Sequence, residues 1–234
     1  MTGEVGTPGR PVRLLLFDID GTLVDCGGQT HAIFAAALVE VFGTCGDIDR
    51  YSMAGRTDPQ IVIDLMTGAG LARAEVDAGL PAMRDLYLPR LERVLDRCHM
   101  RLLPGVLELL ESLAARPDVE LALLTGNWEG GARSKLARFD LNRFFPFGAF
   151  GSDGVHRSEL PPIALARAER HLGRPIPPRQ ALVIGDSPYD VSCARDHGIP
   201  VLAVATGRTP AATLAAAGAD WVIPNLTAAA ELLR

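Results

Sequence analysis

The sequence predicts an α/β fold: a Rossmann-like parallel sheet core with an α-helical domain inserted after the first strand. Three observations carry the prediction. Short, continuous apolar runs alternate with helical patterns, polar residues gather at the ends of those runs, and one long interval is helical only. Continuous apolar runs suit parallel strands buried on both faces. They fall at 12–17, ending at Asp18; at 119–124, ending at Thr125; at 181–184, ending at Gly185 and Asp186; at 199–205, ending at Thr206 and Gly207; and at 221–223. Helical patterns lie between and after them, at 105–115, 130–139, 161–172, 191–197 and 209–217. Repeated βα units make an open parallel sheet whose ligand site lies beyond the C-terminal strand ends. Asp18, Asp20, Thr125, Asn127 and Asp186 all fall there.

The interval 25–103 shows helical stretches at 31–42 and 59–66, a further pair at 74–88 and 89–97, and no strand. It is too long for a crossover, so it is read as a small helical domain. The expected division is a core of residues 1–24 and 104–234 and a cap of residues 25–103, with Cys26-Gly27-Gly28 as exit and Pro104-Gly105 as return.

Composition narrows the function classes. Of 234 residues, 48% are hydrophobic and 22% charged, enough for a packed core and against disorder. No apolar run reaches the roughly 18 residues that cross a bilayer, and the polar, Gly/Pro-rich start MTGEVGTPGRP does not read as a signal peptide. A net charge of -5 and a pI near 5.5 argue against non-specific nucleic-acid or anionic-membrane partners. Aromatic residues, at 6%, do not suggest a base-stacking surface. Four cysteines without a C-x-x-C pair fit a reducing, cytoplasmic compartment and give no zinc pattern. The five histidines show no ligand spacing, and oligomeric state is left open.

Four segments carry chemistry. LLLFDIDGTLVD, at 14–25, sets Asp18 and Asp20 two residues apart after a strand, so both point to one side at its end. Gly21 allows a sharp departure there, although Asp and Gly also serve as plain turn formers. LTGN, at 124–127, offers a strand-end hydroxyl and adjacent amides to an oxyanion, and is equally ordinary turn chemistry. VIGDSPYD, at 183–190, has two carboxylates four residues apart that can hold a hard cation directly and through water. The alternative pairs Asp186 with Ser187 as a helix cap. AGRTD, at 54–58, could bring Arg56 and Thr57 to the far end of a substrate; it also reads as a helix start, with Thr57 or Asp58 as N-cap before Pro59.

These motifs, in this order from Val12 onward, resemble the haloacid dehalogenase superfamily, in the branch with an α-helical cap that includes phosphoglycolate phosphatases. The resemblance implies that Asp18 is a nucleophile forming an aspartyl-phosphate. Asp20 would protonate the leaving oxygen and then activate water. Thr125 would hold the transferring group, with Gly126 and Asn127 lining its surroundings. Magnesium would be held by Asp18, the Asp20 carbonyl and Asp186, with Asp190 orienting a metal-bound water. The dehalogenase and phosphonatase branches lack the second Asp, so phosphate esters are favoured. The need for a cation follows from charge: two like charges 4 Å apart repel by about 4 kcal/mol at an effective dielectric of 20, and a phosphate must approach several carboxylates at once.

The family's third motif supplies a basic residue. Its counterpart here, ELPPIALARA at 159–168, puts Glu159 in that register, so Arg157 is assigned the role. Lys135, the single lysine, is expected to face solvent. The expected activity is a magnesium-dependent phosphatase acting on a small phosphorylated metabolite. The alternatives are a phosphosugar mutase of the same architecture, or a phospho-aspartate signalling or binding protein.

Overall fold

The computed structural model describes residues 13–96 and 99–233. The N-terminal lead-in, Val12, Arg97 and Cys98 lie outside the described residues. Six strands form one sheet: β1 (Arg13–Phe17), β4 (Val119–Leu124), β5 (Gly148–Ala149), β6 (Ala181–Gly185), β7 (Val201–Val204) and β8 (Trp221–Ile223). Their order is β5-β4-β1-β6-β7-β8, and every pairing is parallel. Strand periodicity divides the buried side chains between two layers. Leu15, Phe17, Leu121, Leu123, Leu182 and Ile184 pack on one face, and Leu14, Leu16, Ala122, Leu124, Ala181 and Val183 on the other. Helices α4 (Val106–Ala114) and α5 (Glu129–Ala137) cover the first face; α6 (Leu160–Leu172) and α7 (Pro188–Arg195) cover the second. The short helices α8 (Ala211–Ala216) and α9 (Ala229–Leu232) complete the C-terminal part.

The interval after β1 holds α1 (Gln29–Phe42), α2 (Asp58–Gly68) and α3 (Arg73–Leu95). Two expectations are corrected here. The interval contains strand structure: β2 (Val24–Asp25) pairs antiparallel with β3 (Arg101–Leu102), so a short ribbon closes the exit and return of the chain. The predicted pair of helices is one helix, α3, with Pro81 and Pro89 inside it. An interior proline costs about 3 kcal/mol or more. Val76, Met83, Tyr87, Leu91 and Leu95 nonetheless form a buried stripe along the helix, on the side away from the two exposed prolines, and its burial offsets that cost. Phe34, Tyr87 and Trp128 form an aromatic junction between α1, α3 and the start of α5, with ring centroids 4.9 to 6.3 Å apart. Among the described residues, no helix is long and apolar enough to cross a membrane.

Helix α7 begins at Pro188, three residues before the predicted start. Ser187 is its N-cap, and Asp190 completes a reciprocal capping box. The two-residue strand β5 was too short to register as an apolar run.

Candidate active site

Three neighbouring strands, β4, β1 and β6, deliver Thr125, Asp18 and Asp186 to the same end of the sheet. One oxygen each from Asp18, Asp186 and Asp190 lies within 4.8 Å of the others. The turns around Asp186 require glycine. A Cβ at Gly21, where φ is +83°, would sit 2.4 Å from Asp186 Oδ2, and one at Gly207 would sit 1.6 Å from it.

Arg157 comes from the 3-10 turn before α6 and is buried beneath this cluster. Its Nη2 donates to Asp18 Oδ1 at 3.0 Å, to Leu124 O at 3.1 Å and to Asp190 Oδ1. Its Nη1 donates to Gly55 O at 3.2 Å, and its Nε is buried without a partner among the described residues. Asp190 is wholly engaged, since its Oδ2 also accepts from Ser187 N at 3.0 Å and Ser187 Oγ at 2.6 Å. Glu159 takes no part in this cluster: its carboxylate accepts from Val155 N at 2.9 Å and closes the turn that carries Arg157.

One arginine cannot neutralise three buried carboxylates. Burial, opposed by Arg157 and reinforced by Asp190 and Asp20, pushes Asp18 up to about 6. Asp186 is pushed up to about 9 by burial and by Asp18 and Asp190. Among the described residues it has no ion pair, only a long contact of 3.5 Å from the Thr22 hydroxyl. The donor set is all oxygen and short of positive charge, which is the chemistry a hard divalent cation such as magnesium fits.

Lys135 corrects the sequence reading. It is buried, with its Nζ 2.8 and 2.6 Å from the two oxygens of Asp20 and 2.7 Å from Asn127 Oδ1. Asn127 Nδ2 donates to Asp20 Oδ2 at 2.7 Å and to Thr125 Oγ1 at 2.8 Å. Burial alone would raise Asp20; the charge and hydrogen bonds of Lys135, with the bond from Asn127, outweigh it and hold the carboxyl below its ordinary range. The Asp20 carboxylate is therefore turned to Lys135 and is not among the three gathered around Asp186. The signal for Lys135 was its uniqueness and its place eight residues after Asn127, two turns down a helix that starts at the site. Its partner, however, lies 115 positions away in sequence.

The segment 55–58 closes over the core. Asp58 N donates to Gly126 O at 2.8 Å, and Trp128 N donates to Asp58 Oδ2 at 2.7 Å. A Cβ at Gly126 would meet Arg56 O at 2.0 Å, and one at Gly55 would meet Ser187 Oγ at 2.2 Å. Thr57 is the N-cap of α2, accepting from Gln60 N at 3.1 Å while its hydroxyl donates to Val155 O. Arg56 pairs with Asp64 at 2.8 Å and lies between the rings of Tyr51 and Tyr189, 4.9 Å from each centroid. Both residues named for substrate contact are thus engaged with protein groups. A cavity of about 860 Å³ remains between the sheet end and the inserted helices, lined by Asp18, Asp20, Thr125, Asn127, Arg157 and Asp186 on its inner wall. His31, Arg101 and Arg208 also line it.

Comparison with known proteins agrees with this architecture. The family described as haloacid dehalogenase-like hydrolase matches residues 15–204. A phosphoglycolate phosphatase of Rhodospirillum rubrum is 31% identical over 213 residues, covering 87% of this chain and 85% of its own length. One from Pseudomonas putida is 26% identical over 226 residues, covering 94% of this chain and 79% of its own. A solved structure described as a predicted phosphatase from Clostridium acetobutylicum superposes with a TM-score of 0.72 at 18% identity, over 96% of this chain and 99% of that one, and shows the same fold.

Proposed function

The chain belongs to the haloacid dehalogenase-like hydrolase family, and on that basis we propose that it is a magnesium-dependent phosphatase that passes the phosphoryl group of a small phosphomonoester to Asp18 and then to water. The observation that carries this reading is the state of Asp18. Its Oδ1 is held by Arg157, its Oδ2 has no hydrogen-bond partner among the described residues, and the residue lines the cavity. A carboxylate nucleophile divides the displacement into two easier steps.

The donors left unspent suit a phosphoryl group. Arg157 Nε is buried and has no partner among the described residues. The Thr125 hydroxyl accepts from Asn127, and its own proton has no acceptor among the described residues. In this reading the Thr125 hydroxyl and the Arg157 guanidinium would bind phosphoryl oxygens, with Gly126 and Asn127 forming the adjacent wall. Asp20 lines the cavity with its side chain 43% exposed, and is the group proposed to give a proton to the leaving oxygen and then take one from water. Asp18, Asp186 and the Asp20 carbonyl would hold magnesium, with Asp190 behind them, and the ion would offset the charge gathered between phosphate and carboxylates. The segment 25–103 would act as the cap, excluding bulk water and selecting the leaving group. Arg56 and Thr57 would fix the wall of the cavity by holding the cap loop in place.

Phosphoglycolate, named for the relatives above, is the first substrate to test. The experiment is phosphate release over a panel of phosphomonoesters, with magnesium and then with EDTA, using wild type and Asp18→Asn. Metal-dependent release by wild type alone is expected. Normal turnover by Asp18→Asn would reject the assignment, and isomerisation of a hexose phosphate without phosphate release would replace it with a mutase.

A further inference from the structure

We infer that Lys135 is a positioning residue for Asp20, aiming the proton-transferring carboxylate of the reaction at the leaving oxygen; the inference rests on the phosphatase reading above. The two carboxylates of the DxD motif are held by different cations from different elements. Asp18 is gripped by Arg157, from the turn before α6. Asp20 is gripped by Lys135, from α5. The grip on Asp20 leaves little freedom: Lys135 Nζ touches both of its oxygens at 2.8 and 2.6 Å, and Asn127 Nδ2 takes one of them at 2.7 Å. Asn127 also accepts from Nζ at 2.7 Å, closing a ring of three side chains. The ring extends to Thr125 through the second bond of Asn127 Nδ2, at 2.8 Å. Lys135 is 6% exposed and Asp20 is 43% exposed, and both line the cavity, so the lysine fixes a carboxylate that stays open to it.

Helix α5 is itself wedged in place. A Cβ on Gly130 would stand 3.0 Å from Leu88 Cδ1, and one on Gly131 would stand 3.2 Å from Leu91 Cδ2, both on α3. The helix that sets the lysine's position is thus packed directly against the inserted domain.

In the first step Asp20, having taken a proton from solvent, gives it to the departing oxygen as the phosphorus–oxygen bond to the leaving group breaks and the bond to Asp18 forms. In the second, Asp20 takes a proton from the attacking water and Asp18 leaves as a carboxylate. A misplacement of about 1 Å can cost about a hundredfold in rate. That loss should fall on substrates whose leaving oxygen needs the proton. An aryl phosphate with a nitro-substituted leaving group departs as a stable anion and needs none.

The test is first-turnover kinetics of Lys135→Met on a simple alkyl phosphate and on p-nitrophenyl phosphate. The variant should slow alkyl alcohol release by about a hundredfold while changing the nitrophenolate burst by less than about fivefold. The alkyl-substrate KM should stay within about threefold of wild type, as for a group acting in the transition state. Equal losses on both substrates, or no loss on either, would overturn the inference while leaving the phosphatase reading intact. Should the Met variant lose its near-ultraviolet circular dichroism, Lys135→Gln takes its place; failure of both to fold would assign Lys135 to structure and overturn the inference. A wild-type protein inert on both esters and on the metabolite panel would overturn both readings together.

Discussion

Replacing Asp186 by Asn tests the cation site without any substrate. Asp186 is 6% exposed, and burial with Asp18 and Asp190 pushes it up to about 9 from an ordinary 3.8. A carboxyl raised in this way binds its proton more tightly folded than unfolded. Its contribution is therefore full below the unfolded value and is lost progressively as pH rises toward the folded one. At about 1.4 kcal/mol per pH unit, the span from 3.8 to neutral pH amounts to about 4 kcal/mol in metal-free protein. Asn keeps the size of the side chain and an acceptor for Thr22, and has no proton to retain. In EDTA at neutral pH the variant should therefore be more stable than wild type by up to about 4 kcal/mol, with the advantage shrinking by about 1.4 kcal/mol for each unit of acidification. Magnesium at about a hundredfold its Kd should add about 2.7 kcal/mol to wild type and little to the variant. Urea denaturation across the range from about pH 5 to pH 8, in EDTA and in magnesium, reads all three quantities. A variant less stable than wild type in EDTA at neutral pH, or one that responds to magnesium as wild type does, would refute the reasoning.

The remaining predictions follow from single contacts. Arg157→Met leaves Asp18 and Asp190 buried without their cation and should cost about 3–5 kcal/mol in metal-free protein; a loss under about 1 kcal/mol in urea denaturation would contradict this. Gly126→Ala places a methyl 2.0 Å from Arg56 O, so it should push segment 55–58 off the core, costing about 1–3 kcal/mol and most of the phosphatase activity. Pro89→Ala restores a backbone donor on an exposed position of α3 and should raise stability by about 1–3 kcal/mol; a lower Tm would show that the proline ring packs favourably.

The strand tips were legible because each is a local pattern. An apolar run followed by Asp18, Thr125 or Asp186 marks both a parallel strand and its exposed end. Arg157 could be proposed from the local register, but its place beneath Asp18 depends on the loop after β5 meeting β1, which no local pattern states. Lys135 was misread for the same reason. Its charge suggests solvent on a helix with many small and polar residues, and only the tertiary pairing with Asp20 makes its burial favourable. The β2–β3 ribbon joins residues 24–25 to 101–102, too short on either side to carry a periodicity. The pair of helices predicted around Pro89 failed because packing along one buried stripe outweighed a local breaker. Arg56 and Thr57 were legible as a loop facing the site, while their commitment to Asp64 and Val155 was not.

The central claim is that phosphorus passes through Asp18. Acid quenching of the enzyme during turnover of a substrate that it hydrolyses, followed by peptide mass analysis, tests this directly. The peptide containing Asp18 should carry the mass of one phosphoryl group, and the Asp18→Asn protein should show none. Steady phosphate release with that peptide unmodified throughout, or with the phosphoryl group on another residue, would contradict the account.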